Sequence, residues 1–163
     1  MMSSKMIIVG MADLNVCKSP GVLTTLGLGS CIGIAFHDNV HKIAGLAHIM
    51  LPDSKQIQNN SNVAKFADTA IVKMLQDMGR MGAQRQNIRA KIAGGAQMFA
   101  FTSTSPSMRI GDRNIEACVN ILNMLRIPIL ANETGKTYGR TVELYADTGD
   151  FIIKTIGHGT FTV

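Results

Sequence analysis

Hydrophobic positions recur along this chain at two different periods, one helical and one alternating. Between about Asn62 and Met78, residues Val63, Phe66, Ala67, Ala70, Ile71, Met74, Leu75 and Met78 return at helical spacing, with Lys65, Asp68, Lys73 and Asp77 between them. That spacing predicts an amphipathic helix with one buried face. Ser61 or Asn62 supplies a capping side chain at its start, and Gly79 or Gly82 a stop. A second helix is expected from near Asp112, itself a cap, with Ile115, Cys118, Val119 and Leu122 on one face. It must end before Pro128, whose ring and missing N–H forbid continuation. Cys118 therefore belongs to a core stripe.

Short apolar runs read as strands: Met6 to Val9, Gly21 to Leu26, Ile32 to Phe36, Ile43 to Leu51, Lys91 to Ala93, Ile129 to Leu130, Thr141 to Tyr145 and Phe151 to Ile156. The segments His37-Asp38-Asn39 and Asp147-Thr148-Gly149-Asp150 are placed as hairpin connections. Asp53 to Asn62 and Thr102 to Ser107 read as surface loops, and no linker or internal repeat divides the chain. The expectation is one α/β (α+β) domain over residues 1–163, with layered β-sheets flanked by helices. A length of 163 residues suits it, since single domains run to roughly 100–200 residues.

Composition narrows the function classes. With 46% hydrophobic and 17% charged residues, the chain is too apolar to be disordered. The longest apolar stretches, such as Ala44 to Leu51, fall far below the ~20 residues of a membrane-spanning helix, and Lys5 to Val9 is too short for a signal-peptide core. No membrane insertion is expected, and the cytoplasm is the expected compartment. Three cysteines without framework spacing fit reduced thiols rather than disulfides. The net charge of +5 comes from 16 Lys and Arg spread along the chain, and none of the eight Phe and Tyr is interleaved with a basic run. Nucleic acid is therefore not an expected partner.

Candidate chemistry concentrates in Thr24 to Ile34, TTLGLGSCIGI. A strand ending in Gly27-Leu28-Gly29-Ser30 lets backbone approach a ligand closely, because glycine carries no side chain and tolerates positive φ. Cys31 follows at once, so such a turn could aim a thiol and the N–H groups around Gly29 and Ser30 at one point, as an oxyanion hole requires. A buried cysteine beside a tight turn explains the same residues. His48 interrupts the apolar run from Ala44 to Leu51, so on a strand it must find a partner or line a cleft. Beside a thiol it would form a Cys/His pair, the imidazole taking the thiol proton and returning it to a leaving amine. A core histidine satisfied by its neighbours is the alternative. If His48 forms an ion pair with the thiol, Cys31 should ionise below the ordinary thiol range and alkylate fastest of the three cysteines near neutral pH.

Other motifs fall short. The glycines at 27, 29 and 33 lack the GxGxxG spacing and precede a strand rather than a helix. Gly135-Lys136-Thr137 resembles the end of a phosphate loop, but Leu130 stands where its first glycine belongs. His37 and His41 with Cys31 straddle a turn without a fourth ligand, so no metal or cofactor is expected. Cys17 reads as an ordinary loop or strand-end residue, and the eleven methionines as core filling.

Taken together, TLGLGSCIGI (Thr25 to Ile34), GLAHIMLPDS (Gly45 to Ser54), KFADTAI (Lys65 to Ile71), KIAGGAQMF (Lys91 to Phe99) and IGDRNI (Ile110 to Ile115) resemble successive blocks of the CheD chemoreceptor glutamine deamidases. Glu133 to Leu144 is similar to that family's looser C-terminal region. The resemblance implies a fold like that of the toxin-deamidase type of cysteine hydrolase, with Cys31 as nucleophile, His48 as base and Thr25 orienting the imidazole. It implies deamidation of glutamines on methyl-accepting chemoreceptors, possible hydrolysis of receptor methyl esters, and a CheC-type phosphatase as partner. Phe99, Phe101 and Ile110 to Asn114 are the region suggested for that contact, with a loop packing onto the sheet as the alternative reading. A purely regulatory binding partner of the phosphatase is the alternative function.

Overall fold

The computed structural model describes residues 5–97 and 109–163. Among these residues, ten strands form two five-stranded sheets, and two α-helices cover one of them. The strands are β1 (Met6–Ile8), β2 (Asp13–Lys18), β3 (Val22–Leu28), β4 (Ile32–Asp38), β5 (Ile43–Ile49), β6 (Ile88–Gly94), β7 (Ile129–Thr134), β8 (Arg140–Tyr145), β9 (Phe151–Thr155) and β10 (Thr160–Thr162). The helices are α1 (Ala67–Arg80) and α2 (Ile110–Met124). One sheet runs β1-β3-β8-β9-β10 and the other β2-β5-β4-β6-β7. Among these strands, β1 with β3 and β6 with β7 pair in parallel and the other pairs are antiparallel.

The resulting order of layers is helices, sheet, sheet, with a core on each side of the middle sheet. Alternation along β4 creates both: Ile32, Ile34 and Phe36 join the helix-side core, whereas Cys31 and Ala35 join the core between the sheets. The helix α1 buries Ala67, Ala70, Ile71, Met74 and Met78 against the middle sheet. Gly45 lets it come close, because a Cβ there would stand 2.8 Å from Met74 Cγ. Ile71, Met74 and Met78 each contribute about 1.5–3 kcal/mol through burial.

The layered α/β architecture expected from the sequence is present, but several boundaries move for physical reasons. The first helix starts at Ala67 rather than Asn62. Residues Val63–Lys65 make a 3-10 turn capped by the Asn62 side chain, and Phe66 stays extended to bridge Leu51 beyond β5. The second helix starts at Ile110, so Asp112 lies in its first turn instead of capping it. β4 continues through Asp38, which shortens the expected His37–Asn39 turn. β6 begins three residues and ends one residue outside the expected run, and β7 extends to Thr134. Two strands had no counterpart in the sequence reading: β2, where Leu14 and Val16 alternate with Asp13 and Asn15, and the three-residue β10. The suggested loop Thr102 to Ser107, and the suggested contact residues Phe99 and Phe101, lie outside the described residues. No described helix is long and apolar enough to cross a membrane.

Candidate active site

The segment Gly29–Cys31 is where the chain leaves one sheet at the end of β3 and enters the other at the start of β4. Close to that crossing, a bulge between Thr25 and Leu28 bends β3, and Gly27 adopts φ +68° within it. Cys31 stands one residue before β4. His48 on β5 lies directly opposite Gly33 on β4, and continuing the alternation of β4 back by two residues would set Cys31 on the same face, diagonal to His48. Such partners are roughly 7–8 Å apart at Cα, a span that an imidazole helps to bridge.

Thr25 reaches His48 from the facing sheet. Its hydroxyl is 2.7 Å from His48 Nδ1 and 2.7 Å from the Val9 carbonyl oxygen. A hydroxyl has one proton, and a carbonyl only accepts, so the Thr25 proton goes to Val9. Thr25 Oγ1 then accepts from His48 Nδ1–H, which leaves the imidazole lone pair on Nε2. That atom is buried and has no hydrogen-bond partner among the described residues. The backbone carbonyl of His48 is held by the Ala12 N–H at 2.9 Å. Position, tautomer and ring orientation of the base therefore depend on a β1 extension and two strands from different sheets.

Burial sets the charge state of the pair. It raises the Cys31 thiol above its ordinary value, an effect partly offset by the residue's own N–H, and lowers the His48 imidazole. Both directions favour the uncharged forms, a thiol and an unprotonated imidazole, and neither favours the ion pair that would lower the thiol. The pair gains no Coulombic compensation that would overcome the loss of hydration. Cys31 is 8% exposed, whereas Thr25 is fully enclosed and His48 nearly so.

The crossing segment is anchored through its carbonyls. The Gly29 oxygen accepts from Ala96 N–H and the Cys31 oxygen from Gly95 N–H, both at 2.8 Å. The Ser30 oxygen accepts from Asn114 Nδ2 at 2.9 Å. In a planar trans peptide the N–H points opposite the C=O, so the N–H groups turned away from these anchors are those of Ser30, Cys31 and, at the start of β4, Ile32. Among the described residues, the Gly29 and Ser30 N–H groups have no acceptor. Ser30 is thus common to the expected donor pair of Gly29 and Ser30 and to the N–H groups turned away from the anchors.

Several supporting residues escaped the sequence reading. A Cβ on Gly94 would collide with the Cys31 carbonyl, and its φ of +109° favours glycine. The buried Arg140 donates to the Gly94 carbonyl at 3.3 Å and to Gly135 at 3.0 Å, and lies 4.7 Å from the Tyr138 ring centre. Asn114 sits inside the region suggested for partner contact, but it is buried and faces the site. Only the resemblance of the block Ile110 to Ile115 marked it.

The remaining candidates have other partners. His37 Nε2 is 2.7 Å from the Ala146 carbonyl, and His41 Nδ1 is 2.9 Å from Asp38 Oδ2. Among the described residues, no group of three or more His, Cys, Asp or Glu is arranged to hold a metal. The Gly135–Thr137 segment is the connection from β7 to β8, and Gly135 N–H donates to Gly94. All three cysteines are free and buried. Burial pushes Cys17 up to about 11 and also raises Cys118, as it raises Cys31.

This chain is similar to a group of bacterial chemotaxis proteins. A probable chemoreceptor glutamine deamidase CheD of Lachnoclostridium phytofermentans is 54% identical, over 94% of this chain and 95% of its own length. Another with that name from Caldanaerobacter subterraneus subsp. tengcongensis is 52% identical, over 97% of this chain and 98% of its own. A chemoreceptor glutamine deamidase CheD of Halalkalibacterium halodurans is 49% identical, over 93% and 94% respectively. The sequence model of the family described as CheD chemotactic sensory transduction matches residues 50–155. That stretch begins after Thr25, Cys31 and His48 and spans Gly94, Asn114 and Arg140. With a family match over most of its length and relatives near half identity along nearly all of it, the chain belongs to the CheD family.

Proposed function

We propose that this protein hydrolyses glutamine side-chain amides on methyl-accepting chemoreceptors, releasing ammonia and leaving glutamate. The observation carrying this reading is the Thr25 hydroxyl between Val9 and His48, which leaves His48 Nε2 unprotonated on the face that holds Cys31. His48 Nε2 takes the Cys31 proton as sulfur attacks the carboxamide carbon. The oxygen gains charge opposite the Ser30 and Cys31 N–H groups. Collapse of this intermediate breaks the C–N bond, and the imidazolium gives its proton to the departing nitrogen, which leaves as ammonia. Water, deprotonated by the same nitrogen, then cleaves the thioester to glutamate and restores the thiol. Receptor methyl esters would follow the same path with methanol leaving.

The names of the relatives support the receptor substrate, and three free thiols support work in the reducing cytoplasm. The family resemblance also supports a CheC-type phosphatase as partner, with Phe99 and Phe101 as its suggested contacts. The test is to incubate a purified chemoreceptor cytoplasmic fragment with the protein and weigh its peptides. Each glutamine converted adds about one dalton by replacement of NH2 with OH. Cys31→Ala should abolish the shift, while Cys17→Ala should retain it. A mass shift that persists with Cys31→Ala refutes the mechanism.

A further inference from the structure

We infer that Asn114 is a positioning residue for acyl transfer, one that anchors the Ser30 carbonyl and so holds the Cys31 N–H toward the forming oxyanion. This rests on the reading of Cys31 as nucleophile. Asn114 is the fifth residue of α2 and is fully buried. Its amide has two N–H donors. One goes to the Ser30 oxygen at 2.9 Å and the other to the Met50 oxygen at 3.0 Å. Ser30 immediately precedes Cys31, and Met50 lies two residues after His48. A single side chain from the helix layer therefore ties the nucleophile's segment to the end of the strand that carries the base.

The amide cannot sit the other way round, because its oxygen would then face two carbonyl oxygens. In the orientation found, Asn114 Oδ1 is buried with no partner among the described residues. An apolar side chain of similar volume would fill the position without burying an unpaired amide oxygen, but the Ser30 and Met50 carbonyls would lose this donor. What it could not do is hold two carbonyls at once.

The consequence for chemistry comes through the Ser30–Cys31 peptide plane. With its C=O fixed toward α2, its N–H faces away from α2. The neighbouring planes are fixed by backbone donors from Gly95 and Ala96, so the Ser30 carbonyl is the one member of the series held by a side chain. The helix end itself is set tightly against that loop, since a Cβ on Gly111 would come within 2.8 Å of the Gly95 and Ala96 carbonyl oxygens. Loss of the Asn114 amide frees this one plane to rotate while Thr25, His48 and the thiol stay in place.

Two reactions of the same sulfur separate this role from general support of the fold. Deamidation of a receptor fragment builds an oxyanion, whereas alkylation of Cys31 by iodoacetamide displaces iodide and builds none. Asn114→Asp, nearly the same shape but without N–H donors, should lower kcat for ammonia release by about ten- to a hundredfold. KM and the Cys31 alkylation rate should stay within about twofold of the parent, because neither depends on that plane. Asn114→Gln, which keeps both donors, should recover part of kcat. If the buried carboxylate unfolds the protein, Asn114→Leu, neutral, of similar size and without donors, carries the same comparison. Full kcat in a folded donorless variant, or alkylation falling in step with kcat, overturns the inference. Cys31→Ala serves as the control for the reading beneath it. Activity there refutes the nucleophile, whereas an inactive Cys31→Ala beside fully active Asn114 variants refutes only the positioning role.

Discussion

Replacing Thr25 with valine tests whether the hydroxyl selects the tautomer of the base. The variant keeps the shape of the side chain and removes the oxygen that lies 2.7 Å from both His48 Nδ1 and the Val9 carbonyl. In the parent, the Nδ1–H tautomer is favoured by one buried hydrogen bond, worth about 1–1.5 kcal/mol. At 1.36 kcal/mol per factor of ten, loss of that preference lowers the fraction of correctly protonated base by roughly five- to twelvefold. Looser orientation of the ring adds to this, so kcat/KM for ammonia release should fall about ten- to a hundredfold. His48→Ala, which removes the base altogether, should fall further. Stability should also drop, by about 2–4 kcal/mol, because a buried N–H and a buried carbonyl each lose a partner. The assay pairs deamidation kinetics with 15N chemical shifts of the imidazole, which distinguish a protonated Nδ1 from a protonated Nε2. A parent enzyme with its proton on Nε2, or a Thr25→Val variant with unchanged kcat, would refute the tautomer argument.

Two more expectations follow from the site. Because burial lowers His48 and raises Cys31, deamidation should persist below the ordinary imidazole pKa of about 6.5 and fall off only as His48 gains its proton. Folding stability carries the same sign: His48 binds a proton more readily unfolded than folded, so stability is full above about pH 6.5 and declines as pH falls below it. Alkylation of Cys31 should instead climb through the range above the ordinary thiol value of about 8.5, and fast alkylation at neutral pH would show a preformed thiolate. Gly94→Ala places a methyl group against the Cys31 carbonyl at a φ of +109°, so urea denaturation should show a loss of about 2–3 kcal/mol. An unchanged midpoint would mean that the β6 end yields without disturbing the nucleophile.

The sequence by itself determined the elements whose signal is local. Periodicity located α1 and α2 and put Cys118 on a buried stripe, because a helix repeats its buried face every three to four residues whatever it packs against. Gly27 and Gly29 marked a backbone irregularity beside Cys31, and His48 stood out as the one basic group in an apolar strand. Boundaries shifted where a distant partner intervened: Phe66 remains extended because Leu51 pairs with it, and no periodicity within residues 62–78 encodes that pairing. β2 was missed because two inward residues in a six-residue run are a weak pattern.

Tertiary structure alone decided the chemistry of the site. Which sheet each strand joins cannot be read from alternation, since β3 and β4 are neighbours in sequence yet lie in different sheets. That division brings Thr25 to His48 across the sandwich and sets Cys31 diagonal to His48 on one face. The tautomer depends on Val9 competing for the Thr25 proton, a contact sixteen residues away in the chain. The raised thiol and the lowered imidazole both follow from burial, which exists only once both sheets have closed. Residue types and local spacing supplied a thiol, an imidazole and a hydroxyl, but their protonation and alignment are properties of the assembled layers, where long-range hydrogen bonds and lost hydration set the energies.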